Sequence, residues 1–374
     1  MANGGIRHCG NCHFLKNDFC NIRNEKIESS HWTTCQNCDT YNIKPDGVIM
    51  TIVGEVKNRS ISYSTIPYYN GVRADTIQDG YNDTQVQWVG KDGNKLIFKD
   101  VSEYLSFYET ERIKKKKFIM GAIIGDVVGS VFEWDNVKTI KFPLFCGKSD
   151  FTDDSVLTVA TMDGILNKLD YTRIYQRYGR KYPNAGYGGF FTDWIYDEYP
   201  EPYGSYGNGS SMRVSPVGWC YNTIEEVLRE SKRSASVTHN HKEGIRGAQA
   251  TASAIFLART GKTKEEIKQY IQQTFNYDLE RTLDEIRPTY KFNETCQGSV
   301  PEAIIAFLES KNFESSIRFA ISLGGDSDTI GCITGGISEA FYKEIPEYIV
   351  ENTLRVLPPE FVKMIEEFSV KYRK

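Results

Sequence analysis

The chain has 374 residues, which is too long for one small domain and suggests two or three. Hydrophobic residues make up 40% of the chain and charged residues 25%, as in a globular protein that buries a sizeable core. The formal net charge of −4 argues against a nucleic-acid-binding site that extends over the whole surface.

No apolar run approaches the roughly 18 residues that a membrane span needs. The first residues, Met-Ala-Asn-Gly-Gly, lack the basic-then-apolar pattern of a signal peptide. We therefore expect a cytoplasmic protein with no membrane partner. In that compartment structural disulfides are disfavoured.

Five of the nine cysteines lie within the first 38 residues, in a polar segment rich in glycine and asparagine. Two CxxC pairs in so short a segment have the spacing of a structural zinc site, and a metal would explain how a segment with little core folds. We predict a zinc-binding segment over residues 1–45, against the alternatives of a redox or iron-sulfur role or no metal. The predicted ligands are Cys9, Cys12, Cys35 and Cys38, with Cys20 as a substitute for either member of the second pair.

Residues 46–112 alternate between apolar and polar side chains and are interrupted by Asp-Gly turn signals. This pattern predicts a small β-rich accessory module, with strands at residues 48–53, 60–64, 85–89 and 95–98 and a short helix at 100–108. The basic run at residues 111–117 is predicted to be a solvated linker, in preference to a patch for an anionic partner. We place the domain boundary there.

From residue 118 onward the pattern is helical, and strand signals are nearly absent after residue 145. The first helix carries Gly121, Gly125 and Gly129 on one face, a seam that lets another helix approach closely. The sequence therefore predicts an all-α catalytic domain over residues 118–374. Further helices are predicted at residues 154–169, 224–234, 241–260, 264–275, 301–310, 313–322, 329–343 and 359–372.

Two acidic motifs stand at predicted helix starts, Thr152-Asp153-Asp154 and Gly324-Gly-Asp-Ser-Asp-Thr329. A helix cap needs only one carboxylate, whereas adjacent carboxylates repel each other and require a cation or strong donors. Together the motifs supply four carboxylates and two hydroxyls, a ligand set for two divalent cations such as Mg²⁺ or Mn²⁺. Glu133, just after the glycine-seam helix, adds a further oxygen ligand or a general base.

Four stretches resemble the ADP-ribosylglycohydrolase family in their order and approximate spacing. They are GAIIGDVVGSVFE (residues 121–133), FTDDS (151–155), GNGSSMRV (207–214) and GGDSDT (324–329). The resemblance covers about residues 118–372. It implies an all-helical domain with a dinuclear Mg²⁺ or Mn²⁺ site, and hydrolysis of the bond between C1 of the ADP-ribose ribose and an acceptor.

The resemblance also implies roles for individual residues. Glu133 falls near the scissile bond, and Asp126 falls on an aspartate whose role we expect to be structural. The implied metal ligands are Thr152, Asp153, Asp154, Asp326, Asp328 and Thr329. The implied substrate residues form a glycine-rich loop whose amides can cradle a diphosphate: Gly207, Asn208, Gly209, Ser210, Ser211, Met212 and Arg213.

Three assignments keep their alternatives. His239 falls where the family often has a histidine facing the ligand, against a capping or exposed role. Tyr206, which adjoins the glycine-rich loop, is favoured among the loop aromatics of residues 182–206 for stacking on adenine, against ordinary packing. The catalytic proton is assigned to Glu133, Asp153 or Asp328, and the sequence does not choose among them.

The leading hypothesis is a metal-dependent enzyme that removes ADP-ribose from a modified protein or other macromolecule. The alternatives are a catalytically inactive relative that binds ADP-ribose or serves a structural role, and a hydrolase of another ADP-ribose conjugate or nucleotide. All six candidate ligand positions keep oxygen-bearing side chains, which favours the enzyme. The acceptor linkage and a nucleic-acid partner stay open.

Overall fold

The structure is a computed structural model that describes residues 117–373 and, before them, the backbone of seven short strands. The chain divides into two compact units, Met1–Lys115 and Lys116–Lys374.

The strands of the first unit pair in three antiparallel groups. The predicted strand at residues 95–98 is present, the one at 85–89 is shorter by one residue, and the one at 60–64 is shifted and longer. The groups are β1 (Leu15–Lys16), β2 (Phe19–Cys20) and β3 (Glu25–Lys26), then β4 (Ser62–Tyr69) with β5 (Val72–Gln78), then β6 (Val86–Val89) with β7 (Lys95–Phe98).

Several predictions fall on other parts of this unit. The strand at residues 48–53, the helix at 100–108 and the four favoured zinc ligands Cys9, Cys12, Cys35 and Cys38 lie outside the described residues. Of Cys20 only the backbone, in β2, is described.

The second unit is helical, which confirms the predicted all-α fold for residues 117–373. No helix in this range is both long and apolar enough to cross a membrane. The helices are α1 (Gly121–Gly129), α2 (Asp153–Asn167), α3 (Tyr171–Lys181), α4 (Gly189–Tyr196), α5 (Gly209–Met212), α6 (Ser215–Cys220), α7 (Ile224–Ser236), α8 (Lys242–Arg259), α9 (Lys264–Phe275), α10 (Leu283–Ile286), α11 (Cys296–Glu309), α12 (Phe313–Ser322), α13 (Ser327–Tyr342), α14 (Glu347–Val356) and α15 (Pro359–Tyr372).

Helices α1 and α13 form the centre of the unit, and both are buried along nearly their whole length. A Cβ added to Gly125 would lie 1.9 Å from the carbonyl oxygen of Gly331, and one added to Gly121 would lie 2.4 Å from that of Gly335. The backbones are therefore in direct contact, and the predicted glycine seam is confirmed. This contact brings Asp126 of α1 close to the start of α13.

The predicted set of helices is incomplete, since α3 and α14 lie where none is predicted, and two further predictions are wrong. The helix predicted at residues 301–310 starts earlier, because α11 begins at Cys296 and holds Pro301 inside it. Proline costs one hydrogen bond there, while the buried apolar face of α11 continues through it. Residues 182–206 were expected to be loop, yet they contain α4, which buries Phe191, Trp194 and Ile195 at helical spacing.

Candidate metal and active site

Five carboxylates from four parts of the chain meet beside the α1–α13 contact. Oxygens of Asp126, Asp154 and Asp328 lie within 4.8 Å of one another, and so do oxygens of Glu133, Asp326 and Asp328. Asp328 belongs to both groups. We call these five residues the acidic cluster.

Asp126 anchors the start of α2. Its carboxylate accepts hydrogen bonds from the Thr152 amide at 3.0 Å, the Thr152 hydroxyl at 2.6 Å and the Ser155 amide at 3.0 Å. The structural role expected of Asp126 agrees with these bonds. The same carboxylate also lies within 4.8 Å of oxygens of Asp154 and Asp328, a position that the sequence does not predict for Asp126. A lone charge in the apolar α1 pattern was the available signal.

Asp154 joins the starts of α2 and α13. Its Oδ2 accepts a hydrogen bond of 3.2 Å from the Thr329 hydroxyl, and the Thr152 hydroxyl lies 3.4 Å away. Its Oδ1 is buried and has no hydrogen-bond partner among the described residues. An orphaned carboxylate oxygen of this kind is costly unless a cation binds it, so this position fits a divalent cation.

Asp326 occupies the position before α13 but makes no capping hydrogen bond, so the simple capping alternative does not describe it. Its Oδ2 instead accepts a hydrogen bond of 2.6 Å from the Asn208 side-chain amide. The preceding Gly324 and Gly325 have φ of 70° and 76°, a left-handed conformation that favours glycine. The turn thereby aims Asp326 at the glycine-rich loop.

Asn136 connects the Glu133 segment to this turn. Its Oδ1 accepts a hydrogen bond of 2.6 Å from the Gly325 amide, and its Nδ2 donates to the Glu133 carbonyl at 2.7 Å. Lys138 binds the carbonyls of Leu323 and Tyr290 nearby. Neither residue is marked by a local sequence pattern, because their long-range contacts join positions 152 to 189 residues apart in the chain.

The acidic cluster has an unfavourable electrostatic environment without a cation. Burial raises the pKa of Asp154 and Asp328 well above the ordinary carboxyl range, and the charges of Asp328 and Asp326 respectively add to this. Burial also raises the pKa of Asp126 and Asp326 to about 6. The pKa of Glu133 rises to about 7, first through burial and then through the charge of Asp328.

No lysine or arginine among residues 117–373 forms an ion pair with the acidic cluster. A set of buried oxygen ligands with uncompensated negative charge fits hard divalent cations. The residues present therefore fit the metal that the sequence predicts, without identifying it.

Asp153 is the predicted ligand that the structure does not gather into either group. It is partly buried, and its amide donates to the Ala185 carbonyl at 2.7 Å. It directly precedes Asp154 at the start of α2, and burial, together with the charge of Asp328, raises its pKa well above the usual value. We place it at the edge of the site.

The glycine-rich loop is held in place by contacts with the starts of α8 and α11. Gly207 forms an isolated β-bridge with Thr295, and the Ser210 hydroxyl donates to the Gly244 carbonyl at 2.7 Å. The Ser211 hydroxyl lies 3.2 Å from the Cys296 thiol. Met212 is buried, with its sulfur 3.9 Å from the Thr329 hydroxyl.

Arg213, the last residue of this loop, is fully buried. It donates to the Thr238 hydroxyl at 2.8 Å and to the Ser234 carbonyl at 3.0 Å, and its guanidinium stacks over the Tyr175 ring. The structure therefore makes Arg213 a support for the loop. Its predicted contact with substrate stays a prediction, and the half-buried backbone of Gly207 and Gly209 is the more accessible part.

His239 packs directly under the loop. Its Nε2 lies 3.2 Å from where a Cβ on Gly209 would be, and its Nδ1 lies 2.7 Å from the Thr238 hydroxyl. Burial, with the nearby Arg213 charge, lowers the pKa of His239 well below its usual value. Tyr206 is half exposed and its ring lies 5.3 Å from that of His241, which caps α8.

Fold and site define an all-α enzyme domain with a carboxylate centre suited to divalent cations. The ADP-ribosylglycohydrolase family model matches residues 110–372, and the chain belongs to this family. The resemblance inferred from the four motifs is thereby confirmed, and the protein is an ADP-ribosylglycohydrolase-type enzyme.

Relatives agree with this assignment. ADP-ribosylhydrolase ARH3 of Mus musculus is 26% identical, with 61% of this chain and 84% of the relative covered, and that of Homo sapiens is 26% identical, with 61% and 86% covered. ADP-ribosylarginine hydrolase Tri1 of Pseudomonas putida (strain GB-1) is 25% identical, with 67% and 74% covered. A solved structure titled ADP-ribosylglycohydrolase-related protein complex has a TM-score of 0.55 at 21% identity, covering 71% of this chain and 99% of that one, which shows a shared fold.

Proposed function

We propose that this protein hydrolyses the glycosidic bond between ADP-ribose and an acceptor, using two divalent cations held at the acidic cluster. The observation that carries the proposal is that Asp328 belongs to both carboxylate groups. A carboxylate shared between two ligand sets is the arrangement of a two-metal hydrolytic site.

We propose Mg²⁺ or Mn²⁺ as the cations, because both prefer oxygen ligands. The residues that would hold them are Asp154, Asp326 and Asp328, with the hydroxyls of Thr152 and Thr329. The geometry supports adding Asp126 to the first group and Glu133 to the second. When bound, the cations would neutralise the carboxylates and polarise the water and ribose hydroxyls of the reaction.

The chain itself would bind and orient the substrate. We propose that the Gly209 amide, next to His239, receives the diphosphate, since the Gly207 amide already donates to the Ser205 hydroxyl. Arg213, which donates to the Thr238 hydroxyl, would hold the end of the loop. Positive charge that develops at C1 in the transition state would be stabilised by the surrounding carboxylates.

Glu133 is our first choice for moving the proton of the attacking water. It is the partly exposed member of the acidic cluster, so water and substrate reach it, whereas Asp328 is buried. Asp153 at the edge of the site and Asp328 are the alternatives.

The names of the relatives support the ADP-ribose part of the proposal. They include ADP-ribosylhydrolases and an ADP-ribosylarginine hydrolase, so arginine-linked ADP-ribose is one acceptor to test first. The alternative of an inactive ADP-ribose-binding relative is disfavoured, because no position of the predicted ligand set has lost its oxygen.

The test is release of ADP-ribose from arginine-, serine- and nucleic-acid-linked conjugates, with Mg²⁺, with Mn²⁺ and with a chelator. We expect at least one linkage to be cleaved, with activity abolished by the chelator and by Asp326→Asn. Glu344→Gln, which removes an exposed carboxylate after α13, should behave as wild type. Failure on every linkage with either metal would support the inactive alternative.

A further inference from the structure

All charged side chains in the segment of residues 182–212 are acidic. They include four carboxylates, Asp193, Asp197, Glu198 and Glu201, and no lysine or arginine. A cavity of about 530 Å³ lies in this segment. We call its lining the acidic aromatic surface; it consists of Phe190, Thr192, Asp193, Trp194, Tyr196, Asp197, Glu201 and Tyr203.

Large aromatic rings of this surface are open to solvent. Phe190 is 79% exposed and Tyr196 is 59% exposed, while Phe190 also stacks on Tyr203 with ring centroids 5.9 Å apart. Exposed rings grouped around a cavity are a common mark of a binding surface. Their faces are attractive to cations as well as to apolar groups.

The carboxylates are available for a partner. Asp193, Asp197 and Glu201 are exposed and form no ion pair with any residue from 117 to 373. The Arg180 guanidinium contacts this segment, but it donates to the Ile195 carbonyl. The surface therefore keeps a net negative charge.

Both ends of the segment reach the candidate active site. At one end the Ala185 carbonyl accepts the Asp153 amide at 2.7 Å. At the other end the Tyr203 ring lies 6.1 Å from His239, and the Ser205 amide donates to the Thr238 carbonyl at 3.4 Å. A ligand bound to this surface would therefore lie next to the candidate active site.

We propose that the acidic aromatic surface binds the acceptor polypeptide, and that it favours lysine or arginine residues flanking the modified side chain. This inference rests on the proposed function and names its substrate class. Cationic side chains would form ion pairs with the carboxylates and cation–π contacts with the aromatic rings. The phosphates of a nucleic-acid acceptor would be repelled by the carboxylates.

The first experiment measures cleavage of two peptides that carry the same ADP-ribosylated residue. One has lysines and arginines on both sides, and the other has glycines and serines. We expect kcat/KM to be about ten-fold higher for the basic peptide, as several exposed charge pairs would give, and the preference to shrink at high salt. The triple variant Asp193→Asn, Asp197→Asn, Glu201→Gln should reduce the preference to about two-fold or less.

The control variant is Glu225→Gln, Glu265→Gln, Glu344→Gln, which removes the same number of exposed charges away from this surface. It should keep the wild-type preference. Both triple variants should cleave a minimal conjugate without flanking residues at the wild-type rate. If the full chain prefers the neutral peptide, or the first variant keeps the ten-fold ratio, the proposal is wrong.

A second measurement needs no catalysis and so separates this proposal from the proposed function. Fluorescence anisotropy of the full chain is recorded with an unmodified basic peptide, a neutral peptide and a single-stranded oligonucleotide of similar length. Binding of the basic peptide alone, weakened in the first triple variant, supports the surface even if no conjugate is cleaved. Tighter binding of the oligonucleotide would overturn it.

Discussion

The side-chain amide of Asn208 donates a hydrogen bond of 2.6 Å to Oδ2 of Asp326, and this bond joins the glycine-rich loop to the acidic cluster. Both side chains are buried. The bond therefore couples the loop proposed to hold the diphosphate with a carboxylate proposed to hold a cation. Partners that orient metal ligands in this way are often as important as the ligands themselves.

Asn208→Ala is expected to lower both metal affinity and kcat/KM by about 10- to 100-fold, because Asp326 loses its orienting donor. Metal titrations followed by activity measure both effects. Asn167→Ala is the control, because Asn167 donates a similar bond of 2.6 Å to Asp163 at the far end of α2. Equal losses in the two variants would show that Asn208 acts only on general stability.

Asp328→Asn is expected to raise the Tm of the metal-free protein by about 2–5 °C, because it removes a charge that two carboxylate groups share. The same change should abolish activity and the stabilisation of the wild type by added Mg²⁺ or Mn²⁺. Thermal melts with chelator and with metal measure this. A variant that is still stabilised by metal would contradict the proposed cation site.

Gly125→Ala is expected to destabilise the protein by about 3 kcal/mol, because its Cβ would lie 1.9 Å from the Gly331 carbonyl oxygen. Helices α1 and α13 would have to separate, which would also move Asp126 away from Asp328. Urea unfolding measures the loss. Gly164→Ala is the matched control, since a Cβ there would meet Tyr171 at 3.4 Å, an ordinary contact, and should leave stability equal or slightly higher.

His239 makes stability depend on pH. Burial lowers the pKa of His239 in the folded state well below the 6.5 of an exposed histidine, so below pH 6.5 the unfolded chain binds one proton more. Above pH 6.5 His239 is neutral in both the folded and the unfolded state, so its burial causes no pH-dependent loss of stability there. The free energy of unfolding then falls by up to about 1.4 kcal/mol per pH unit as the pH decreases.

The variant His239→Asn should remove this part of the pH slope while keeping a side chain that can hydrogen-bond Thr238. Urea unfolding of both proteins from pH 7.5 to 5.0, with chelator present, isolates the difference. The charged neighbour Arg213 and the neutral Tyr203 are the same in both proteins. Identical slopes would show that the fold does not lower the pKa of His239.

The cysteine pairs predict about one zinc per chain in the full-length protein. Metal analysis after purification without added zinc measures it. Cys9→Ser and Cys35→Ser should each lower the zinc content, whereas Cys220→Ser, in α6, should not. Zinc-free wild-type protein that melts normally would contradict the prediction.

Local patterns were sufficient for much of the fold. Helices α9, α12 and α15 begin and end at the predicted residues, because apolar spacing and helix-start signals such as Thr263 and Asn312 lie within a few residues of one another. Helix α4 was missed because its glycines and aromatic residues are typical of loops. This helix is stabilised mainly by the packing of its buried face against the rest of the domain, which a local pattern does not show.

The sequence by itself determined which residue types stand at the two helix starts and that a glycine seam adjoins them, since those features depend on spacing along one chain. Only the tertiary structure decided which of the carboxylates meet. It joined Asp126 to Asp154 and Asp328, left Asp153 outside both carboxylate groups and buried the Arg213 side chain. The physical reason is that these distances depend on how closely α1 and α13 approach, and that approach is set by backbone contact between glycines far apart in the chain.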